Sequence, residues 1–187
     1  MKNFKILALA LVTIVSFSSC SDDDSSTPVL EQEVITTVTA TFTPTAGGTA
    51  IVLKSQDLDG DGPDAPVVTA SGNFTAGASY TGAVTFLNEL TNPVTNTTEE
   101  IQELSLEHQI FFQQSGLGTF AYADKDTDGH PVGLNFTYTA AAAPVTGSLI
   151  VTLRHLPNKS GVNVPAGDIT NAGGSTDAEV TFPVTIQ

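Results

Sequence analysis

From Glu33 onward the sequence predicts an all-β domain, and three observations carry that prediction. The segment is rich in Thr, Val, Phe and Gly, the composition of pleated, half-buried surfaces. Apolar and polar residues alternate with a period of two over several stretches, which puts one set of side chains on each face of a strand. Between those stretches stand clusters of Gly, Asn, Asp and Ser, the residues that turn a chain back on itself.

The strands follow in order. Residues 33–43 form the first and end at Ala46-Gly47-Gly48; 49–56 form the second and run into an aspartate-rich loop. Residues 66–71 close on Ser71-Gly72-Asn73, and 79–90 carry Tyr80, Val84 and Phe86 on one parity. Thr97-Thr98-Glu99-Glu100-Ile101 has a capping-box pattern, Thr97 with Glu100, which allows one helical turn. Leu104-Leu106-His108-Ile110-Phe112 then alternates as a strand over 104–114, ending at Ser115-Gly116-Leu117-Gly118. Strands at 119–123, 132–140 and 147–154 follow, the second reading Val132-Leu134-Phe136-Tyr138 and the third Leu149-Val151-Leu153 on their apolar faces. After Asn171-Ala172-Gly173-Gly174 the last strand, 178–187, carries Val180-Phe182-Val184-Ile186. Pro183 has no N–H for a ladder, which puts this strand at an edge or a bulge. Nine short strands without helices between them describe an antiparallel β-sandwich, immunoglobulin-like in the broad sense.

The chain before Glu33 has a different character. Lys2 and Lys5 precede an apolar run from Ile6 to Val15, about ten residues against the roughly 20 that span a bilayer. Phe17-Ser18-Ser19-Cys20 follows, with the only cysteine of the chain. A positive start, a short apolar core and small residues describe a cleaved export signal over residues 1–19. The segment resembles the lipobox of bacterial lipoproteins, with Phe17 where Leu is usual. That resemblance implies diacylglycerol on the Cys20 thiol and cleavage before it, and so a membrane partner through the lipid. Ser21-Asp22-Asp23-Asp24 is similar to the acidic tag of Bacteroidota surface lipoproteins, which implies an outer-membrane lipoprotein displayed at the cell surface. Residues 20–32 then form the lipidated cysteine and a disordered, extended acidic linker, and 33–187 form one domain. Leu153-Arg154-His155 and the stretch Gly167–Gly174 resemble an uncharacterised family of small flavobacterial lipoproteins.

Lipidation of Cys20 leaves no thiol for a disulfide, so the domain relies on its core. The full chain has 6 basic and 20 acidic residues. Loss of residues 1–19 removes Lys2 and Lys5 and no acid, leaving 4 against 20, a net charge of −16. That balance excludes nucleic acid as a partner, because phosphates need Lys and Arg.

Two loops share the pattern Asp-x-Asp-x-Asp-Gly: Asp57, Asp59, Asp61 before Gly62, and Asp124, Asp126, Asp128 before Gly129. Alternate carboxylates before a turning glycine are candidate Ca²⁺ ligands, since that ion takes several oxygens at about 2.3–2.6 Å. Asp64 adds a fourth carboxylate to the first loop. Val68 and Asn135 stand where an EF-hand carries its bidentate Glu, so neither loop is an EF-hand. Lys54 and Lys125 are placed to neutralise the loops without metal, and Asp-Gly is also an ordinary turn sequence. Four strands lie between the loops, which puts both at one end of a sandwich, together with the 91–103 and 155–177 loops. His108, His130 and His155 fall near the same rim, His108 and His155 on the parity of their strands' apolar residues, and the three form an alternative set of ligands for a transition metal. Glu99, Glu100, Glu103 and Glu107 read as a solvated turn and strand face.

No nucleophile elbow, P-loop or metalloprotease helix is present, so the reading is a non-enzymatic, lipid-anchored binding domain with a protein or glycan partner. A glycan-binding accessory protein of an uptake system is one alternative, with Tyr80, Tyr122 and Tyr138 serving in a chain without Trp. A histidine- and aspartate-based transition-metal-binding lipoprotein is the other.

Overall fold

Alternation becomes burial in this structure, a computed structural model that describes residues 33–187 other than Asp61. The signal segment, Cys20, the acidic linker and Asp61 lie outside the described residues. Among the described residues nine strands form two antiparallel sheets. The larger has the order β3-β2-β1-β4-β7-β6, from β3 (Val67–Ala70), β2 (Ile51–Gln56), β1 (Thr37–Pro44), β4 (Ser79–Leu87), β7 (Asn135–Ala140) and β6 (Gly118–Tyr122). The smaller has the order β5-β8-β9, from β5 (His108–Gln113), β8 (Val145–His155) and β9 (Ser175–Ile186). The six-and-three division departs from the four-and-three arrangement of an immunoglobulin constant domain. Among the described residues no helix is long and apolar enough to cross a membrane.

The inward faces are those the alternation selects. Tyr80, Val84 and Phe86 are buried, as are Val132, Leu134, Phe136 and Tyr138, and Phe182, Val184 and Ile186. Phe42 sits at the centre, edge-on to Phe74 at 4.9 Å and to Phe136 at 5.2 Å between ring centroids. These T-shaped contacts suit the aromatic quadrupole and add to the area buried. Pro183 lies on β9, an edge strand, where its missing N–H costs no ladder bond.

Three local expectations change. The helical segment is longer than one turn: α1 spans Thr97–Glu103, held where Thr98 Oγ1 accepts from Phe86 N–H and donates to Phe86 C=O, with Ile101 fully buried. Its N-cap is Asn96, whose amide donates to Glu99, so the Thr97–Glu100 capping box does not form. The strand expected from residue 104 begins at His108, and Leu104 and Leu106 are exposed. Beyond that point both faces of β5 are covered, because Val164, Ala172 and Ile169 of the 156–174 loop pack on Phe111.

Candidate metal centre

The antiparallel ladders bring the predicted loops to one rim. Gln56 at the end of β2 pairs with Thr37, Thr37 with Leu87, and Tyr122 at the end of β6 pairs with Phe136 at the start of β7. Both aspartate loops therefore leave the same end of the larger sheet. They leave it four strand positions apart, about 19 Å at the usual spacing of ~4.8 Å. They are two separate features.

Each loop is organised by its own backbone. Asp57 Oδ1 accepts from the N–H groups of Asp59 and Gly60, and Asp59 Oδ2 accepts from that of Asp64. In the second loop Asp124 accepts from Gly133 N–H and Asn135 N–H, both at 2.7 Å. Asp126 Oδ1 accepts from Asp128 N–H and His130 N–H, and its Oδ2 accepts from Lys159 Nζ at 2.8 Å. That pair is buried, with Lys159 also donating to Ser105 C=O. Burial alone would raise the Asp126 carboxyl, but the Lys159 and backbone donors outweigh it and hold it below the usual carboxylate range. The neutralising cations differ from those expected. Lys54 pairs with Glu89 at 3.8 Å, and the ammonium against the second loop is that of Lys159, not Lys125.

The histidines divide. His130 Nε2 lies 3.1 Å from Ser160 Oγ, and its ring faces Asp126. His108 and His155 are directly opposed across β5 and β8, and their rings stack with centroids 4.9 Å apart. Opposed residues of a ladder hold their Cβ atoms about 4.5–5.5 Å apart, so this register makes a histidine pair. Asp177 joins them. Leu153 pairs with Ala178 and Arg154 with Thr176, so Asp177 is the extra residue of a bulge in β9. A bulge turns its extra residue out of the ladder and re-aims it; here the Asp177 carboxylate enters the space beside both rings. Gly174, just before β9, allows the approach: its φ is +70°, and a Cβ there would lie 2.2 Å from His155 C=O. Among the described residues, His108, His155 and Asp177 alone bring three metal-ligating atoms within 4.8 Å of one another.

The electrostatics of this cluster are unusual for a buried site. His108 is fully buried and its Nδ1 lies 3.1 Å from Leu104 C=O. A carbonyl only accepts, so Nδ1 carries the hydrogen and the neutral ring directs the Nε2 lone pair inward. Nε2 then faces Glu33 Oε1 and Asp177 Oδ2, each at 3.6 Å, too far for a hydrogen bond. No described residue gives a hydrogen bond to His108 Nε2, Asp177 Oδ2 or Glu33 Oε2, all of them buried. His155 Nδ1 lies 3.8 Å from Asp177 Oδ2, and its Nε2 lies 3.6 Å from Glu107 Oε2. Burial pushes the His108 imidazole below its ordinary value, and it pushes the Asp177 carboxyl up against the pull of His155 and His108. Burial, with the charges of Glu100 and Asp177, pushes Glu33 up to about 7.

A lone pair facing two carboxylate oxygens at 3.6 Å is a repulsive arrangement that a cation reverses. An ion with bonds of about 2.0–2.2 Å to imidazole nitrogen and carboxylate oxygen fits between atoms at that separation. The Nδ1–H of His108 on a backbone carbonyl is also how a ligating histidine is oriented. Two imidazoles with carboxylates and no thiolate suit zinc and its first-row neighbours.

Sequence reasoning found His108 and His155 through their parity but missed Asp177, Glu33 and Lys159. Asp177 and Lys159 lie in or beside the long 155–177 loop, and Glu33 falls at the start of the first predicted strand with no local pattern to mark it. The fold and cluster together define an all-β, two-sheet domain with a buried histidine–carboxylate centre at one rim. Comparison with protein-family models, with curated proteins and with solved structures gives no significant match.

Proposed function

We propose that the protein is a non-enzymatic, lipid-anchored binding domain of the cell envelope that holds a divalent transition-metal ion, zinc foremost, through His108, His155 and Asp177. The observation that carries this is His108 Nε2: a fully buried nitrogen, oriented by Leu104, aimed at two carboxylates and bonded to neither. Attachment to the membrane rests on the lipobox ending in Cys20, and surface display rests on Ser21–Asp24. Calcium has weaker support in the second aspartate loop, where the oxygens of Asp124 and Asp126 are committed to N–H donors. A glycan platform is also less favoured, since Tyr80 and Tyr138 are core residues and the Tyr122 hydroxyl donates to Ile110 C=O.

The test is a titration of the metal-stripped protein with Zn²⁺, read by calorimetry, beside Co²⁺ substitution read in the visible spectrum. One ion per chain is expected, with intense bands of low-coordinate Co²⁺ that disappear in His108→Ala and Asp177→Ala. A protein that stays folded and takes up neither ion would refute the reading.

A further inference from the structure

We infer that Glu33 is the fourth ligand of this centre, so that the bound ion is a closed structural staple between the two sheets. The inference rests on the metal reading above and goes beyond it in the ligand set and in what the ion does. Glu33 lies just before β1, the third strand of the larger sheet's order, and Thr36 N–H ties that segment to Leu87 C=O at the end of β4. His108, His155 and Asp177 all belong to the smaller sheet. Within the cluster, Glu33 alone comes from the strand system on the other side of the core.

Glu33 approaches the cluster at His108 and stands just outside the 4.8 Å set that the other three residues form, so an ion has to draw its side chain inward. Glu33 Oε1 is 3.6 Å from His108 Nε2, the same distance as Asp177 Oδ2 from that nitrogen. Its side chain is 11% exposed, against 0%, 2% and 13% for His108, Asp177 and His155. Its other oxygen, Oε2, is buried with no hydrogen bond from any described residue. An ionised carboxylate carried into the interior toward another carboxylate and a lone pair is unfavourable unless a proton or a cation neutralises it, and a metal ion does so for both carboxylates at once.

With Glu33 included the donor set is two imidazoles and two carboxylates, all largely buried. Structural zinc sites are four-coordinate with protein ligands throughout, whereas catalytic ones keep a position open to water or substrate. The centre is of the first kind. It joins the start of the domain to the smaller sheet in a chain whose single cysteine rules out an internal disulfide. The ion also fastens the point at which the chain enters the domain.

The experiment compares the full chain with Glu33→Gln and Glu33→Asp, in metal-stripped and Zn²⁺-loaded forms. The readouts are zinc affinity by chelator competition and hydrogen exchange of the backbone amides of residues 33–36. Glu33→Gln is expected to weaken zinc binding by about tenfold or more, the least that loss of an ordering contact at a metal site brings. It is also expected to abolish the zinc-dependent protection of residues 33–36 that the unmodified chain shows. Glu33→Asp, which keeps a carboxylate, recovers part of both. Unchanged affinity and protection in Glu33→Gln would overturn the role of Glu33 and leave the three-residue site standing. Absence of zinc binding in the unmodified chain would overturn both. Because Glu33→Gln keeps the shape of the side chain, a melting curve of its metal-free form separates misfolding from loss of a ligand.

Discussion

Replacing Lys159 by Met probes the feature that orders the second aspartate loop. Lys159 Nζ is 2.8 Å from Asp126 Oδ2, with Lys159 6% exposed and the Asp126 side chain 0%. Removal of the ammonium leaves a buried carboxylate with two backbone donors on Oδ1 and none of its former partners on Oδ2. Breaking a buried pair from one side costs about 3–5 kcal/mol; the two retained N–H bonds place Lys159→Met at the low end, about 3 kcal/mol. At roughly 2–4 °C per kcal/mol for a domain of this size, Tm falls by about 6–12 °C. Asp126→Asn in the same background removes the stranded charge, and the double variant recovers about 1–3 kcal/mol of the sum of the single losses. Differential scanning calorimetry at pH 7 on all four proteins completes the cycle. The pH dependence has a definite sign. Asp126 is depressed in the folded state, so its contribution is present above its unfolded value, ~3.9, and is lost as pH falls through the lower folded value. Without Lys159 the buried Asp126 carboxyl rises, so protonation relieves the variant first, and the gap between the parent and Lys159→Met narrows as pH falls toward the acid range and closes further below about pH 4. Additive single losses, or a Lys159→Met protein within about 0.5 kcal/mol of the parent, would show that the pair does not hold the loop.

Three further outcomes are expected. On the lipobox reading, Cys20→Ser moves the protein from the membrane fraction to the soluble one, because it removes the site of acyl chains that would supply ~0.8 kcal/mol per buried CH₂; membrane retention in a fractionation would contradict that reading. Gly174→Ala forces a methyl into the space 2.2 Å from His155 C=O at positive φ; it costs about 1–3 kcal/mol and weakens zinc binding by displacing the Asp177 bulge. Urea melts and a zinc titration check both effects, and unchanged zinc affinity would separate the bulge from the site. Phe42→Ala empties the centre of the aromatic core and costs about 3–5 kcal/mol in a denaturant melt; a loss under about 1 kcal/mol would mean the cluster repacks.

The domain's local architecture is legible in its sequence. Side chains alternate with a period of two because of the pleat itself, so Val132-Leu134-Phe136-Tyr138 and Val180-Phe182-Val184-Ile186 declare their inner face from sequence alone. Turn residues declare where strands stop for the same local reason. Strand counting likewise placed both aspartate loops at one end, since each strand crosses the domain once. Parity even turned His108 and His155 toward the buried side. It could not oppose them, because register between β5 and β8 depends on how distant segments align. The bulge that aims Asp177, the loop that carries Lys159 to Asp126, 33 residues away in sequence, and the packing that brings Glu33 across to the smaller sheet are long-range outcomes of the same kind. They are decided by what fills the core and which backbone groups find partners, and no local pattern encodes them. The sequence by itself determined the faces, the turns and the end at which the aspartate loops and histidines gather; tertiary structure chose which histidines and which acids meet there.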